Sequence, residues 1–386
     1  MARVKCGVIG MGLMGASGHL YNLTRIPDAQ VTAICDNDEE HLESATQYVG
    51  PEVKLYTDAD ALIEDADVEA IVISTPNHLH RPMAEKAFSL GKHVFTEKPM
   101  APTVEDCEAM IRASERAAKI LEVGLLCRYN PQFHKFAEIV QSGAIGNLQM
   151  VFCKEFRAPF QNLLIQYAHT LKAKTRQFAD SEEARRAAEA AKAEVTMEEQ
   201  QAWWRMREIS GGALVEKNCH HFDIFNWMLG DKVRAKRVFA TGGRNVHKQF
   251  EIIDHAWVTV DYENGIKACL GLCFFAPWGE EVEWWAIGDK GKCECHLHRE
   301  EIHLITAYDK REVIKVRFPE PKEPGHRGSR VELEEFIRCI QTGGKPYADG
   351  MIGLRSVEIP IAAERSIKVG VPVDVFCGGR GMGPEA

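Results

Sequence analysis

Short apolar runs alternate with amphipathic stretches in the chain from residue 1 to about residue 124. Such runs are typical of buried strands, and the stretches between them carry apolar residues at helical spacing. Their alternation predicts βαβ units built on a parallel sheet. The strands are predicted at residues 5–9, 30–35, 70–74, 93–96 and 120–124. The helices between them include residues 15–25, 80–90 and 103–117.

The pattern changes after about residue 125, where strand-like runs follow one another across short turns such as Glu263-Asn264-Gly265. Successive strands joined by tight turns predict an antiparallel sheet. A helix is predicted at residues 131–142, and strands at 148–156, 256–262, 265–275, 282–287 and 291–296. We therefore predict a doubly wound α/β domain over residues 1–124 and an α+β domain with a mostly antiparallel sheet over residues 125–386.

One stretch of the second domain, about residues 163–205, is rich in Ala, Glu, Lys and Gln. Its charge spacing is that of a solvated helix, so we predict a helical insertion on the surface. A lid or a subunit contact is the alternative for this stretch. The glycines between residues 378 and 383 predict a loose tail.

Length and charge narrow the range of functions. A chain of 386 residues is longer than one hydrophobic core usually serves, which agrees with two domains. The net charge of −9 argues against a general nucleic-acid or anionic-membrane binder, since both need a basic surface.

The chain enters its first strand without a signal-peptide pattern, and no apolar stretch is long enough to span a bilayer. The 12 scattered cysteines indicate reduced thiols, so we expect a cytoplasmic location.

Two cysteines and two histidines lie close together in one strand-like run, at Cys293, Cys295, His296 and His298. Side chains alternate between the faces of a strand, so the cysteines lie on one face and the histidines on the other. We therefore predict no metal site from this group.

A glycine-rich turn joins the first predicted strand to the first helix, with the sequence Gly10-Met11-Gly12-Leu13-Met14-Gly15. In this context G-x-G-x-x-G is the fingerprint of a dinucleotide-binding Rossmann domain, and the six residues are assigned to cofactor binding. Gly10 permits the tight turn, Gly12 lets the backbone approach a pyrophosphate, and Gly15 lets helix and strand pack closely. The alternative is a glycine turn that binds no ligand.

Two other segments at the same edge of the sheet are assigned to the cofactor. Asp36 follows the second strand, about twenty residues past the last glycine, where a carboxylate accepts hydrogen bonds from the adenosine ribose. It also repels a 2′-phosphate, so NAD is expected rather than NADP. The turn Thr75-Pro76-Asn77 and the following His80 lie at the carboxyl end of a strand, where open α/β sheets bind ligands. His80 is interpreted as a structural neighbour of the cofactor and not as a catalyst.

The first candidate reactive group is Lys98 in Glu97-Lys98-Pro99, which ends the fifth strand at this same edge. A lysine directed into a pocket reaches a substrate hydroxyl, and burial or nearby positive charge lowers its pKa toward useful values. Glu97 and Lys98 are also assigned to the cofactor surroundings. The alternative is an exposed lysine in a loop.

The second candidate lies in the segment 211–223. If this segment is helical, Glu216, His220 and Asp223 share one face, and Lys217 and His221 share a neighbouring face. A polar stripe on an otherwise apolar helix needs hydrogen-bonding partners or a wet cavity. A buried hydrogen-bonded network that fixes the helix is the alternative to a reactive site.

These motifs together resemble the family of glucose-fructose oxidoreductase, inositol dehydrogenase and MocA (Gfo/Idh/MocA). The resemblance covers nearly the whole chain and rests on the glycine turn, Thr75-Pro76-Asn77 with His80, Glu97-Lys98-Pro99, Arg128-Tyr129-Asn130-Pro131, the block around His220 and Asp223, and the segment 332–373. It implies a Rossmann domain followed by a mostly antiparallel sheet that makes the subunit interface. A homo-dimer or homo-tetramer is therefore expected.

The resemblance also implies a reaction. Lys98 and His220 are expected to face the nicotinamide of NAD across a carbohydrate substrate. Acting as a pair, they remove the proton of a secondary hydroxyl of a sugar, glycoside or cyclitol while hydride leaves for the nicotinamide. The rival function is an NAD-dependent glycoside hydrolase, which oxidises C3 transiently, eliminates the aglycone, adds water and returns the hydride.

The chain departs from the common family pattern at Glu216, where inositol dehydrogenase-like members have Asp in the arrangement Asp-x-Gly-x-His. The third catalytic group is therefore Glu216, which orients His220 from one turn away, or it is absent. The residues assigned to substrate binding are Lys98, Arg128, Tyr129, Lys217, His220 and His221.

Overall fold

The computed structural model describes residues 2–157, 203–230, 232–276, 279–317 and 327–375. Nearly all of the predicted insertion at 163–205 and the whole glycine-rich tail at 378–383 lie outside these residues. Two sheets organise the described chain, one of six strands and one of nine.

The first sheet is parallel throughout and has the strand order β3-β2-β1-β4-β5-β6. In this doubly wound arrangement the order of the strands reverses between β1 and β4, which leaves a crevice at the carboxyl ends of the strands. The strands are β1 Val4–Ile9, β2 Ala29–Cys35, β3 Lys54–Tyr56, β4 Ala70–Ile73, β5 His93–Thr96 and β6 Leu121–Val123. All five strands predicted for this region are confirmed, each to within one residue at either end, whereas β3 was not predicted.

Helices connect these strands and cover both faces of the sheet. A π-helix, Leu13–Leu20, follows the glycine turn and leads into one α-helical turn. The α-helices of this region are α1 Tyr21–Leu23, α2 Glu39–Ala45, α3 Ala59–Glu64, α4 His80–Ser89 and α5 Val104–Ala117. Every residue of β4 is buried, as expected for a strand that helices cover on both faces.

The second sheet has the order β14-β13-β12-β11-β7-β10-β9-β8-β15. Its neighbours are antiparallel except for the parallel pair β7 and β10. The strands are β7 Leu148–Phe156, β8 Ala235–Gly243, β9 His255–Tyr262, β10 Lys267–Cys273, β11 Glu281–Gly288, β12 Lys292–His296, β13 Glu301–Ala307, β14 Lys310–Lys315 and β15 Val373–Asp374. The prediction of an α/β Rossmann domain followed by an α+β domain is confirmed, while the boundary at residue 124 stays a prediction.

The helices of the second region are α6 Pro131–Gln141, α7 Arg207–Ser210, α8 Ala213–Leu229, α9 Arg327–Thr342 and α10 Gly350–Val369. Although α9 and α10 come late in the chain, both contribute to the core around the first sheet. Phe336 of α9 meets Phe95 of β5 edge to face, and Val357 of α10 packs in the core on the opposite face. No helix in the described ranges is both long enough and apolar enough to cross a membrane.

Helix α8 packs against both sheets, and it carries the candidate residues Glu216 and His220. Val215 and Cys219 are buried in the core of the first sheet, whereas Phe222 and Phe225 are buried in the core of the second. The helix begins after Gly212, whose φ of 103° is costly for other residues, and a Cβ there would lie 2.7 Å from a carboxylate oxygen of Glu364. Glycine at this position therefore fixes where the helix starts.

Candidate active site

The glycine turn between β1 and the π-helix has the close contacts expected of a dinucleotide-binding turn. A Cβ on Gly15 would lie 1.6 Å from the carbonyl oxygen of Gly10, so no larger residue fits where helix and strand meet. Gly10 itself has a φ of 91°, and a Cβ there would lie 2.3 Å from the carbonyl oxygen of Ser74. Gly12, in contrast, has nothing within 4 Å of its Cβ position. The turn thus leaves an open cradle where a backbone can meet a pyrophosphate.

Asp36 lies beside this cradle, directly after β2. Its carboxylate accepts hydrogen bonds from the backbone N–H of Met11 at 2.6 Å and from that of Asp38 at 2.9 Å. Asp38 has a separate role, since its side chain caps α2 by accepting from the N–H groups of Glu40 and His41. The glycine turn and the carboxylate at the end of β2 therefore fit a dinucleotide: the turn would hold the pyrophosphate and Asp36 the adenosine ribose.

The turn after β4 connects the first sheet to α8. The side-chain amide of Asn77 donates to the carbonyl oxygen of Ser210 at 3.0 Å and to Oε2 of Glu216 at 2.7 Å. His80 is fully buried, with Nε2 lying 3.0 Å from the carbonyl oxygen of Thr75 and Nδ1 lying 3.1 Å from that of Pro99. His80 thus ties two turns at this edge together, which is a structural contact.

Glu97 is a buried carboxylate immediately before the predicted reactive lysine in the sequence. Its Oε1 lies 2.7 Å from Nε2 of His19, and its Oε2 accepts the backbone N–H of Lys98 at 3.0 Å. Burial acts to raise the pKa of Glu97, but His19 and Lys98 outweigh it and hold the pKa below its usual value. The carboxylate therefore stays ionised, and it adds negative charge close to Lys98.

Lys98 reaches across to α8 and bonds to Glu216 twice. Its Nζ donates to Oε1 and to the backbone carbonyl oxygen of Glu216, both at 2.9 Å. Burial acts to lower the pKa of Lys98, but the charges of Glu216 and Glu97, among others, outweigh burial and raise it. The expectation of a lowered lysine pKa is therefore wrong: the nearby charges that decide it are negative, and the side chain remains an ammonium ion.

His220 lies one helical turn beyond Glu216. Burial first, and then the positive charge of Lys98, hold the pKa of His220 well below its usual value, so its imidazole is neutral. Its buried Nδ1 has no hydrogen-bond partner among the residues that the structure describes. The two oxygens of Glu216 are engaged by Lys98 and Asn77, and within the described ranges they make no hydrogen bond to His220. Glu216 thus contacts the lysine and not, as expected, the histidine.

The neighbouring face of α8 meets a buried carboxylate on β7. Glu155 is fully buried, lies 3.3 Å from Nδ1 of His221, accepts from the amide of Asn218, and pairs with Nε of Arg157 at 3.0 Å. Burial is the main reason why the pKa of His221 falls to about 4. The His221 ring also stacks on Trp284, with centroids 5.3 Å apart. These contacts hold His221 in one orientation beside the site.

Lys217 is a second lysine of this cluster, one position after Glu216 on α8. Burial and the charge of Arg157 lower its pKa. Its ammonium makes no hydrogen bond or ion pair with any described residue. A partly buried cation without a protein partner gains from oxygen acceptors on a bound molecule.

Two residues assigned to substrate binding do not reach this cluster. Arg128 is 1% exposed and forms a fork with the carboxylate of Asp223, with three nitrogen–oxygen distances of 2.8–3.1 Å. The hydroxyl of Tyr129 donates to the buried Glu122 at 2.9 Å. Both polar groups bind carboxyl groups inside the protein, and the assignment of Arg128 and Tyr129 to substrate binding stays a prediction.

Two parts of the chain match the domains of a known protein family. A family described as an oxidoreductase family with an NAD-binding Rossmann fold matches residues 4–125, and its C-terminal alpha/beta domain matches residues 187–375. The chain belongs to the Gfo/Idh/MocA family. It is consequently an oxidoreductase with an NAD-binding domain, which agrees with the cradle at Gly12 and the carboxylate of Asp36.

Relatives of this Gfo/Idh/MocA protein cover almost its full length. The myo-inositol 2-dehydrogenase of Thermotoga maritima is 25% identical over 382 residues, 95% of this chain and 96% of the relative. The NAD(+)-dependent scyllo-inositol 2-dehydrogenase of Bacillus subtilis is 24% identical over 97% of this chain and 96% of the relative. A levoglucosan dehydrogenase solved with NADH and levoglucosan shares the fold, with a TM-score of 0.77, 20% identity, and coverage of 97% of this chain and 99% of that one.

Sequence reasoning overlooks two partners in this site. Glu155 occupies an inward position of β7, in line with Val151 and Cys153, and a carboxylate among apolar inward residues is a recognisable signal of a buried polar contact. His19, the partner of Glu97, carries no such signal, because its position in the first helix is compatible with many packing arrangements.

Proposed function

We propose that this protein oxidises a secondary hydroxyl of a sugar, glycoside or cyclitol, with NAD as the hydride acceptor. The observation that carries the proposal is the contact between Lys98 and Glu216 at 2.9 Å. It joins the edge of the first sheet, where the dinucleotide cradle lies, to the helix that carries His220. The names of the inositol dehydrogenases among the relatives support a polyhydroxylated substrate.

His220 acts as the general base in this proposal. Its imidazole is neutral because burial and Lys98 lower its pKa. A neutral imidazole can accept the proton of a substrate hydroxyl, which typically contributes about 10²–10⁴-fold to the rate. When bound, NAD supplies the nicotinamide ring that takes up the hydride from the same carbon.

Lys98 acts as a permanent cation in this proposal. The raised pKa keeps its ammonium protonated, so it donates a hydrogen bond to the substrate oxygen and stabilises the negative charge that develops there. Glu216 positions the ammonium through Oε1 and its backbone carbonyl, while Asn77 holds the other carboxylate oxygen. Lys217 and His221 contribute to substrate binding beside this pair.

A spectrophotometric screen tests the proposal. Purified protein is mixed with NAD and a panel of cyclitols, sugars and aryl glycosides, and NADH absorbance and aglycone release are followed in parallel. We expect NADH to accumulate with at least one polyol without aglycone release. Aglycone release without net NADH would instead establish the glycoside hydrolase reaction.

Variants of the two reactive side chains sharpen the test. His220→Ala is expected to lower kcat by about 10²–10⁴-fold, and Lys98→Met by about 10²–10³-fold, with NAD binding retained. Lys135→Met serves as the control, because this lysine is 36% exposed on α6 and pairs with Glu138 of the same helix. Full activity in either reactive variant contradicts the assigned roles.

We further infer that the protein forms a homo-oligomer through the outer face of the second sheet. Large side chains are exposed there, among them Trp257, Met150 and Phe239, although the opposite face of the same strands is buried. Large apolar side chains exposed together on one face of a sheet are typical of a protein interface. We propose a second copy of the chain as the partner, because the family resemblance implies that this sheet makes the subunit interface.

A further inference from the structure

A cluster of histidines and glutamates lies on the outer face of the second sheet, away from the dinucleotide cradle. In the strand register, Glu294 of β12 pairs with His303 of β13, and His296 of β12 pairs with Glu283 of β11 and Glu301 of β13. Paired residues project to the same face, and so do residues two apart on one strand. Five side chains able to bind a cation or orient one of its ligands therefore occupy adjacent positions on three strands.

The opposite face of β12 confirms this orientation. Cys293 and Cys295 are fully buried in the core of the second sheet, on the other side from His296. The predicted separation of the cysteines from His296 is therefore confirmed. The ligand group differs from the one considered in the sequence because His303 belongs to β13, a strand that the sequence pattern does not predict.

Three donor atoms of the cluster have the spacing of metal ligands. Oε2 of Glu294 lies 3.4 Å from Nε2 of His296 and 3.5 Å from Nδ1 of His303. All of the donor atoms lie within 4.8 Å of one another. These distances are long for hydrogen bonds. They match the roughly 3.3 Å that separates two ligands bound at about 2.0–2.1 Å to a tetrahedral zinc ion.

The second nitrogen of each imidazole faces another carboxylate. Nδ1 of His296 lies 3.4 Å from Oε1 of Glu283, and Nε2 of His303 lies 3.3 Å from Oε2 of Glu301. A metal-bound histidine usually donates its other ring N–H to a carboxylate, and Glu283 and Glu301 lie beside the two nitrogens that would donate. Nδ1 of His296 is buried and has no hydrogen bond of good geometry within the described residues. The two imidazoles are 9% and 6% exposed.

Arg311 of β14 supplies positive charge at the same place. Its Nη2 lies 2.6 Å from Nδ1 of His303 and 3.5 Å from Oε2 of Glu294. The guanidinium is always charged, so it can only donate to this nitrogen. Its side chain is 55% exposed, which leaves it free to turn into solvent when another cation binds. Lys292, which pairs with Oε1 of Glu294 at 2.6 Å, leaves Oε2 available.

We propose that Glu294, His296 and His303 form a binding site for one zinc ion on the outer face of the second sheet. Two imidazoles and one carboxylate are a donor set suited to zinc, and a water molecule completes the tetrahedron. The oxygen-only coordination that magnesium and calcium prefer is absent from these three ligands. The bound ion links β12 to β13 and displaces the guanidinium of Arg311.

Zinc binding to the full-length protein tests the site directly. The chain is stripped of metal with a chelator and titrated with Zn²⁺ alone by calorimetry, and bound zinc is counted by elemental analysis after gel filtration. We expect one zinc per chain, lost in His296→Ala and His303→Ala. His41→Ala is the control, because this histidine is 46% exposed on α2. Zinc stoichiometry that is the same in wild type and both variants, or no uptake by the wild type, overturns the proposal.

The variant Arg311→Gln gives a test that does not depend on removing a buried side chain. If zinc competes with the guanidinium, this variant binds Zn²⁺ more tightly than the wild type, by about tenfold or more, since a cation no longer has to leave. Glu301→Gln is expected to weaken binding by about 10–100-fold, because it alters the partner of His303. If the cluster is only a network of salt bridges, Arg311→Gln brings no gain in zinc affinity, and that result contradicts the proposal.

Discussion

At the scale of single residues, Lys98 shows how the charge of its neighbours decides its chemistry. Burial alone would lower its pKa, and the carboxylates of Glu216 and Glu97 reverse that effect. The same ammonium helps to keep His220 neutral, after the larger effect of burial. One residue thus becomes a fixed cation and the other a proton acceptor, although both titrate within a few pH units of neutrality in water.

The variants Lys98→Met and Glu216→Gln should move opposite limbs of the pH profile. Without the ammonium, the pKa of His220 rises toward its usual value, so the acid limb of kcat/KM shifts to higher pH in Lys98→Met. Glu216→Gln removes the largest influence that raises the pKa of Lys98, so the alkaline limb shifts to lower pH. The measurement is kcat/KM between pH 5 and about pH 11. An acid limb that stays in place in Lys98→Met argues against the assigned pair.

Asp36 is expected to decide between NAD and NADP. Asp36→Ala removes a charged acceptor for the ribose hydroxyls, and a hydrogen bond to a charged group is worth about 1.5–3 kcal/mol. The substitution also removes the charge that repels a 2′-phosphate. The affinity ratio of NAD to NADP should fall at least about tenfold in a fluorescence titration. Asp38→Ala, which loses the cap of α2, is the control: it should cost about 1 kcal/mol of stability and leave the ratio unchanged.

At the scale of elements, we expect different roles for two glycines of the glycine turn: packing for Gly15 and cofactor binding for Gly12. Gly15→Ala places a Cβ against the Gly10 carbonyl and should cost at least about 2 kcal/mol in denaturant unfolding. Gly12 has an ordinary φ of −63° and free space at its Cβ position, so Gly12→Ala should leave stability unchanged or raise it by about 0.4–1 kcal/mol. It should nevertheless weaken NAD binding at least about tenfold. Unchanged NAD affinity in Gly12→Ala means that the pyrophosphate lies elsewhere.

Helix α10 contains a carboxyl group that should make stability depend on pH. Burial raises the pKa of Glu358 to about 7, despite the charges of Arg234 and Arg355. Because this pKa is raised on folding, the stability it contributes is complete below about pH 4.5 and is lost as the pH rises through 7. Glu358→Gln should therefore raise stability at pH 8, by up to roughly 3 kcal/mol, and bring little gain at pH 4.5. Equal changes in Tm at both pH values contradict this assignment.

The sequence pattern predicts the elements whose signal is local and misses those fixed by distant partners. The buried strands of the first sheet and the glycine turn are predicted because their apolar runs and glycines are contiguous. The short strand β3 has mostly exposed residues, so it lacks the apolar run that marks its neighbours. Strands β13 and β14 also carry many exposed or polar residues, which hides their alternation.

Distant partners also decide which residues of α8 act together at the candidate site. Helical spacing correctly places Glu216, His220 and Asp223 along one helix, but Glu216 and Asp223 bind different partners. Asp223 pairs with Arg128, which comes 95 residues earlier, and Glu216 pairs with Lys98, which comes 118 residues earlier. Spacing along one helix therefore identifies the polar face, while the roles of its residues depend on which parts of the chain pack against it.

At the scale of the whole molecule, α8 makes the two sheets interdependent. Its first-sheet face is held by Val215 and Cys219, and its second-sheet face by Phe222 and Phe225. The proposed pair brings together Lys98, which follows a strand of the first sheet, and His220, which this helix carries, so its geometry depends on the packing of both faces. The inner face of the second sheet packs in the core that Phe222 and Phe225 share, whereas its outer face carries exposed side chains such as Trp257.

The outer face of the second sheet should hold the subunits together. Trp257 is 53% exposed and covers Gly271, where a Cβ would lie 2.5 Å from its ring, and Phe152 lies in line with it at 6.5 Å between centroids. We expect light scattering to give a dimer or tetramer for the wild type and a smaller species for Trp257→Glu. The control is Tyr308→Glu, which changes a fully exposed ring in the turn between β13 and β14. Burying a charge in an apolar interface costs several kcal/mol, so an assembly that tolerates Trp257→Glu must use another surface.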